Sequence, residues 1–106
     1  MHVEIRGESD PAVVDVARAL ESYLEQHPRA KIAVYRQNSV SIRARLIDPD
    51  FKGLSRTTRH DAIWKYFEPL DEMVQDQIIL LLLLTPDEVA KSFANFDFEN
   101  PILSRL

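Results

Sequence analysis

The chain has 106 residues, 45% of them apolar and 28% charged, with a formal net charge of -4 at pH 7 and no cysteine. That balance fits one globular domain that folds without metal or disulfide help. The missing thiols exclude a disulfide framework, a cysteine nucleophile and a cysteine-ligated metal site within the chain.

The N-terminal Met1-His2-Val3-Glu4 has neither the basic nor the apolar stretch of a leader peptide. The longest apolar run, Ile78 to Leu84, has seven residues, far short of the ~20 that a membrane-spanning helix needs. A cytoplasmic protein with no membrane partner is expected.

Val3 and Ile5 alternate with polar neighbours, so residues 1–8 read as a short strand or an extended arm. Asp10 as N-cap and Pro11 at the first helical position open a helix. Val13, Val16, Ala17, Leu20 and Leu24 give it one apolar stripe, and His27-Pro28 ends it. Lys31 to Arg36 reads as a strand, Gln37-Asn38-Ser39 as a turn, and Val40 to Ile47 as the returning strand. Val40, Ile42, Ala44 and Leu46 form its inner face; Ser41, Arg43 and Arg45 form the face toward solvent or a partner.

Asp48-Pro49-Asp50 is turn material, and Ser55 is the expected N-cap of a helix from Arg56 to about Glu68, stopped by Pro69. A short helix over Leu70 to Gln77 leads to Ile78–Leu84, a strand buried on both sides. Thr85-Pro86-Asp87-Glu88 opens the last helix through a capping box, with Val89, Phe93 and Phe96 as its apolar side. The tail, residues 97–106, carries Phe98, Pro101, Ile102, Leu103 and Leu106, apolar enough to pack on its own domain or to mediate self-association.

The expected order is α-β-β-α-(α)-β-α. The final strand follows a helical crossover and so should pair parallel to an earlier one. The whole is an α+β domain with a three-stranded mixed sheet and helices packed on one face. One domain spans 1–106, with its core at about 11–95.

Charge is unevenly spread. Between Arg29 and Lys65 there are nine basic and three acidic residues; the remainder has four basic and fourteen acidic. Such a segment can present a positive face, or simply solvate the outer side of a sheet. Arg36, Arg43, Arg45, Lys52, Arg56 and Arg59 are the candidate phosphate-contacting set. No aromatic residues are interleaved with them as stacking platforms.

Ser55, His60 and Asp61 do not make a nucleophile set, because residues five apart on a helix do not face each other. Ser55 is better explained as a cap, and Asp48 and Asp50 as turn residues. His60 is either a ligand or partner contact, or an imidazole that fixes the corner. His2 and His27 lie near element ends and read as incidental.

Phe51, Gly53, Ser55 and the pair Arg59-His60, followed by Ile63 and Phe67 and later by the strand and Thr85-Pro86-Asp87-Glu88, resemble the signature of the BolA family, a variant of the KH-like fold. The resemblance covers roughly Ala12 to Val89. It implies a non-enzymatic partner of monothiol glutaredoxins in iron–sulfur and redox homeostasis, or a transcriptional regulator. Partner contacts would fall at Lys52, Arg56, Arg59 and His60.

It also implies a [2Fe–2S] cluster shared with the glutaredoxin, ligated by His or Cys from the loop between the first two strands and by a histidine before the final strand. Here the loop is Arg36-Gln37-Asn38-Ser39, and the second position falls around Gln75-Asp76-Gln77. Neither offers a His or Cys, so the chain departs from the ligand pattern and His60 is the one weak candidate left. A KH-like nucleic-acid binder using segment 29–65 is the alternative expectation. It lacks the second glycine of a G-x-x-G loop, which Gly53-Leu54-Ser55-Arg56 does not supply.

Overall fold

The computed structural model describes residues 2–101. In chain order the elements are β1 (Glu4–Arg6), α1 (Pro11–Gln26), β2 (Lys31–Asn38), β3 (Ser41–Ile47), α2 (Arg56–Trp64), α3 (Glu72–Gln75), β4 (Ile78–Leu84) and α4 (Phe93–Glu99). Tight 3-10 turns at Pro49–Phe51 and Pro86–Lys91 precede α2 and α4. Among the described residues, no helix is long and apolar enough to cross a membrane.

Helix α1 forms as its local chemistry dictates. The Asp10 carboxylate accepts from the Val13 N–H at 3.0 Å, and Pro11 occupies a position whose N–H would be orphaned anyway. Val13, Val16, Ala17, Leu20 and Tyr23 are its buried stripe. The Glu21 carboxylate accepts from the His2 and Val3 N–H groups, which ties the N-terminal arm to this helix.

That arm is a true strand. β1 pairs parallel to β2 in register Glu4 with Ala33 and Arg6 with Tyr35. The sheet therefore has four strands, in the order β1-β2-β3-β4, and not three. The short alternation at Val3 and Ile5 was too brief to distinguish a strand from an arm; its pairing is decided by β2. β2 and β3 are antiparallel, and β3 and β4 parallel, as the crossover requires. Val40 lies in the hairpin turn and is exposed rather than on the inner face.

One face of the sheet carries the main core. Ile32, Val34, Ile42, Ala44, Leu46 and Leu83 pack there against α1, Phe51, Ile63 and Phe67. The other face is covered too. Ala33 and Tyr35, with Leu80 and Leu82 beside them, meet Phe98 of α4. Helices thus lie on both faces, which corrects the one-sided arrangement.

The last helix is also displaced. Glu88 accepts from the Thr85 N–H at 2.8 Å as expected, but this closes the 3-10 turn. α4 starts later, capped by Ser92, which accepts from the Asn95 N–H at 3.0 Å. Phe93 and Phe96, expected on the apolar side, are 92% and 67% exposed, whereas Phe98, assigned to the tail, is 1% exposed. The folded unit therefore runs outward from 11–95 to include Val3 and Phe98. Ile102, Leu103 and Leu106 of the tail lie outside the described residues.

Candidate functional site

The corner between β3 and α2 is built from the buried side. Asp48 is fully buried; its Oδ1 accepts from the Asp50 N–H and its Oδ2 from the Tyr23 hydroxyl at 2.5 Å. Burial, and then the facing Asp48 carboxylate, push the Tyr23 phenol well above its ordinary range. The turn drops Phe51 into the core. Gly53 then takes φ +81°, a left-handed backbone that disfavours any side chain even though a Cβ there would meet nothing within 4 Å. Ser55 caps α2 by accepting from the Thr58 N–H at 3.1 Å, so its hydroxyl has a structural task.

His27 is not incidental. It stacks on Tyr23, with ring centroids 4.2 Å apart, and its Nδ1 lies 2.9 Å from Asp50 Oδ2. Arg29 donates to the other Asp50 oxygen at 2.5 Å. The His27 contact and then Arg29 hold the Asp50 carboxyl below its usual range. The donor atoms of His27, Asp48 and Asp50 lie within 4.8 Å of one another. Every carboxylate oxygen in the group already accepts a hydrogen bond or faces a cation, so the group works as the knot that joins α1 to the corner. Sequence reading found the turn acids but had no signal for Tyr23, twenty-five positions away along the chain from Asp48. Asp48→Ala, which strands the Tyr23 hydroxyl, should cost about 1–3 kcal/mol, read from urea unfolding.

The candidate arginines do not form one surface. Arg59 is 6% exposed. It donates to Leu54 O and Leu83 O, forks onto Glu88, and lies over the Phe51 ring. Arg45 is buried against Asn95 and Glu99, with its guanidinium 4.8 Å from the Phe98 centroid. Arg43 pairs with Asp97 at 2.9 Å and touches the Tyr35 hydroxyl. Arg36 binds Asp10 and donates to Gln77 Oε1 at 2.9 Å. The Arg36 guanidinium lowers the pKa of Asp10, and Arg45 lowers that of Glu99. These four positions are thus neutralised by the chain's own acids.

Lys52, Arg56 and His60 remain exposed, and Lys52 and Arg56 make no ion pair among the described residues. His60 stacks on Trp64, with centroids 5.6 Å apart and planes inclined by 8°. Together with Arg56 and Thr57 it forms one wall of a groove of about 530 Å³. The floor is Leu80 to Leu84 of β4, and the opposite wall is Ser92 and Ala94. The groove continues past Leu54, Glu88, Lys91 and Phe93.

The two places where the resemblance implies cluster ligands are brought together, but joined differently. Arg36 at the end of β2 bonds Gln77 just before β4, and Asp10 completes the group. A guanidinium, an amide and a carboxylate held by that guanidinium do not suit a [2Fe–2S] cluster. Comparison with protein-family models, with curated proteins and with solved structures found no match.

Proposed function

We propose that this chain is a non-catalytic adaptor of BolA-like kind that binds a protein partner along the groove between α2, β4 and α4. Lys52, Arg56 and His60 would supply its polar contacts. The observation that carries this reading is the gathering of exposed apolar side chains at one place. Leu54, Phe93 and Phe96 are 39%, 92% and 67% exposed, and Leu54 and Phe93 line the continuation of the groove. Adjacent apolar residues exposed beside polar ones mark interaction surfaces.

A monothiol glutaredoxin is the first partner to try, in iron–sulfur or redox homeostasis. The chain is expected to bind it without ligating a shared [2Fe–2S] cluster, since the Arg36–Gln77 contact stands where ligands would be needed. The test mixes the purified chain with cluster-loaded monothiol glutaredoxin and records the visible spectrum across a size-exclusion run. Co-elution with an unaltered spectrum is the expected result. An altered spectrum that reverts in His60→Ala would make His60 a ligand after all. Separate elution removes the glutaredoxin.

The alternative, a KH-like nucleic-acid binder using segment 29–65, is weakened by the pairing of Arg36, Arg43, Arg45 and Arg59 with acids. It requires affinity for single-stranded nucleic acid that falls steeply with salt and is lost in Arg56→Glu. No binding at low salt is the outcome expected here.

A further inference from the structure

The sheet ends at β4, because no strand lies beyond it among the described residues. The Asp48 N–H donates to Leu84 O at 2.8 Å, so the Leu84 peptide group faces β3 or its continuation. Backbone groups alternate sides along a strand. Leu82 and Leu80 therefore also face β3, and Leu81 and Leu83 face outward. Leu83 marks the outward side independently, since its carbonyl accepts from Arg59 Nη1 at 3.0 Å, a side chain and not a strand. The Leu81 N–H and C=O and the Leu83 N–H therefore point away from β3 along the groove floor, beside the Leu83 carbonyl that Arg59 already holds.

Edge strands are usually blunted by charge, proline or a bulge. β4 has a bulge only near its start, where Ile42 pairs Ile78 but Arg43 pairs Leu80. Leu80 to Leu84 carry no charge and no proline, and Leu80, Leu81 and Leu82 are only half-buried. Each wall carries a cation: Arg56 on one side, and Lys91 on the other where the groove continues. Glu88, the carboxylate there, is already engaged by Arg59. On a chain of net charge -4 this is a local inversion of sign.

We propose that the outer edge of β4 takes an extended, acidic and apolar segment of the partner protein as an added strand. Main-chain bonds would form to Leu81 and Leu83, and carboxylates of the segment would meet Arg56 and Lys91. The proposal deepens the adaptor reading and rests on it. Strand addition draws affinity from backbone bonds and specificity from alternate side chains. The cationic walls select an acidic segment over a second copy of this chain. Self-pairing of β4 about Leu81 would bring Asp76 of one copy to within one residue of Asp87 in the other, setting like charges together.

The probe is a library of short random peptides displayed on phage and selected on the full chain. Amide hydrogen exchange is then read by NMR with a selected synthetic peptide. Selected sequences should alternate apolar residues and carry Asp or Glu. The peptide should slow exchange at Leu81 and Leu83, and the double variant Arg56→Glu, Lys91→Glu should weaken binding roughly tenfold or more. N-methylation of the peptide's edge-facing amides should abolish binding. Selection of no peptide, peptides indifferent to the double variant, or unchanged exchange at Leu81 overturns the proposal. So does concentration-dependent protection of Leu81 in the free chain, which would place a second copy on the edge. If glutaredoxin co-elutes while Leu81 exchange is unchanged, the docking reading stands and strand addition falls. If peptides add to the edge but glutaredoxin elutes apart, the strand mode stands and the named partner falls.

Discussion

Phe98→Ala should destabilise the protein by about 3–5 kcal/mol, the range for emptying a buried phenylalanine site, and should release α4 from the sheet. Phe98 is 1% exposed and meets Tyr35 edge-on, with centroids 4.8 Å apart. The Arg45 guanidinium lies over the same ring at 4.8 Å and that of Arg6 at 5.6 Å. Helix α4 has seven residues, too few to persist alone in water. Its place therefore depends on this one side chain, on the Arg45 hydrogen bond to Asn95 and on the ion pairs from Arg43, Arg45 and Arg6 to Asp97 and Glu99.

Those pairs reach partly exposed carboxylates, and such contacts are individually weak. They cannot hold the helix once the ring is gone. Urea unfolding should report the lost stability, and limited proteolysis should cut near Ser92, where the last 3-10 turn meets α4. Phe93→Ala, at a site 92% exposed, should leave stability nearly unchanged. Equal effects of the two substitutions would contradict the assignment of Phe98 as the anchor.

The contrast between these phenylalanines shows where sequence reasoning stops. A three-residue step from Phe93 to Phe96 matches helical spacing and draws the apolar stripe onto the wrong side. Phe98 sits two residues from Phe96 and drops out of that stripe. The choice is made by the second face of the sheet, where Ala33, Tyr35, Leu80 and Leu82 accept a ring. Nothing local to residues 93–99 encodes that face. By contrast α1 was legible because cap, proline and stripe agree at each step. β3 was legible because its alternation is unbroken from Ile42 to Leu46.

The same limit applied to the charges. Alternation put Arg43 and Arg45 together on the outer face, and that placement holds. It could not show that Asp97 and Glu99, fifty-four positions later, would fold back over them. A basic run seen in sequence is a surface only if no acidic element returns to cover it. The Tyr23–Asp48 bond and the Arg36–Gln77 bond are long-range in the same way, and only the polar member at the turn carried a local signal.

Arg59 is the residue for which this distinction has the largest consequence. Arg59→Ala should cost about 2–4 kcal/mol, because it removes the donors to two backbone carbonyls and a packed side chain at once. The guanidinium joins Leu54 O in the corner, Leu83 O on β4 and Glu88 in the last 3-10 turn. It holds three segments that share no ladder bonds. A surface contact residue would instead leave stability untouched and affect partner binding alone.

The acid limb of the stability curve provides a second reading of the same contact. The Arg59 hydrogen bond, then the Thr85 N–H, bring the Glu88 carboxyl from 4.5 down to about 2. A depressed carboxyl stabilises the fold above its unfolded value, so this contribution is complete above about pH 4.5 and is lost as pH falls toward 2. The Glu88 side chain is 44% exposed, so solvent screening keeps its energy well below what the shift alone implies. In Arg59→Ala the Glu88 carboxyl should titrate nearer its ordinary range. The loss of stability between pH 4.5 and 2 should then be shallower than in the parent chain. A parallel acid limb in parent and variant would mean that the pair does not hold the turn to the corner.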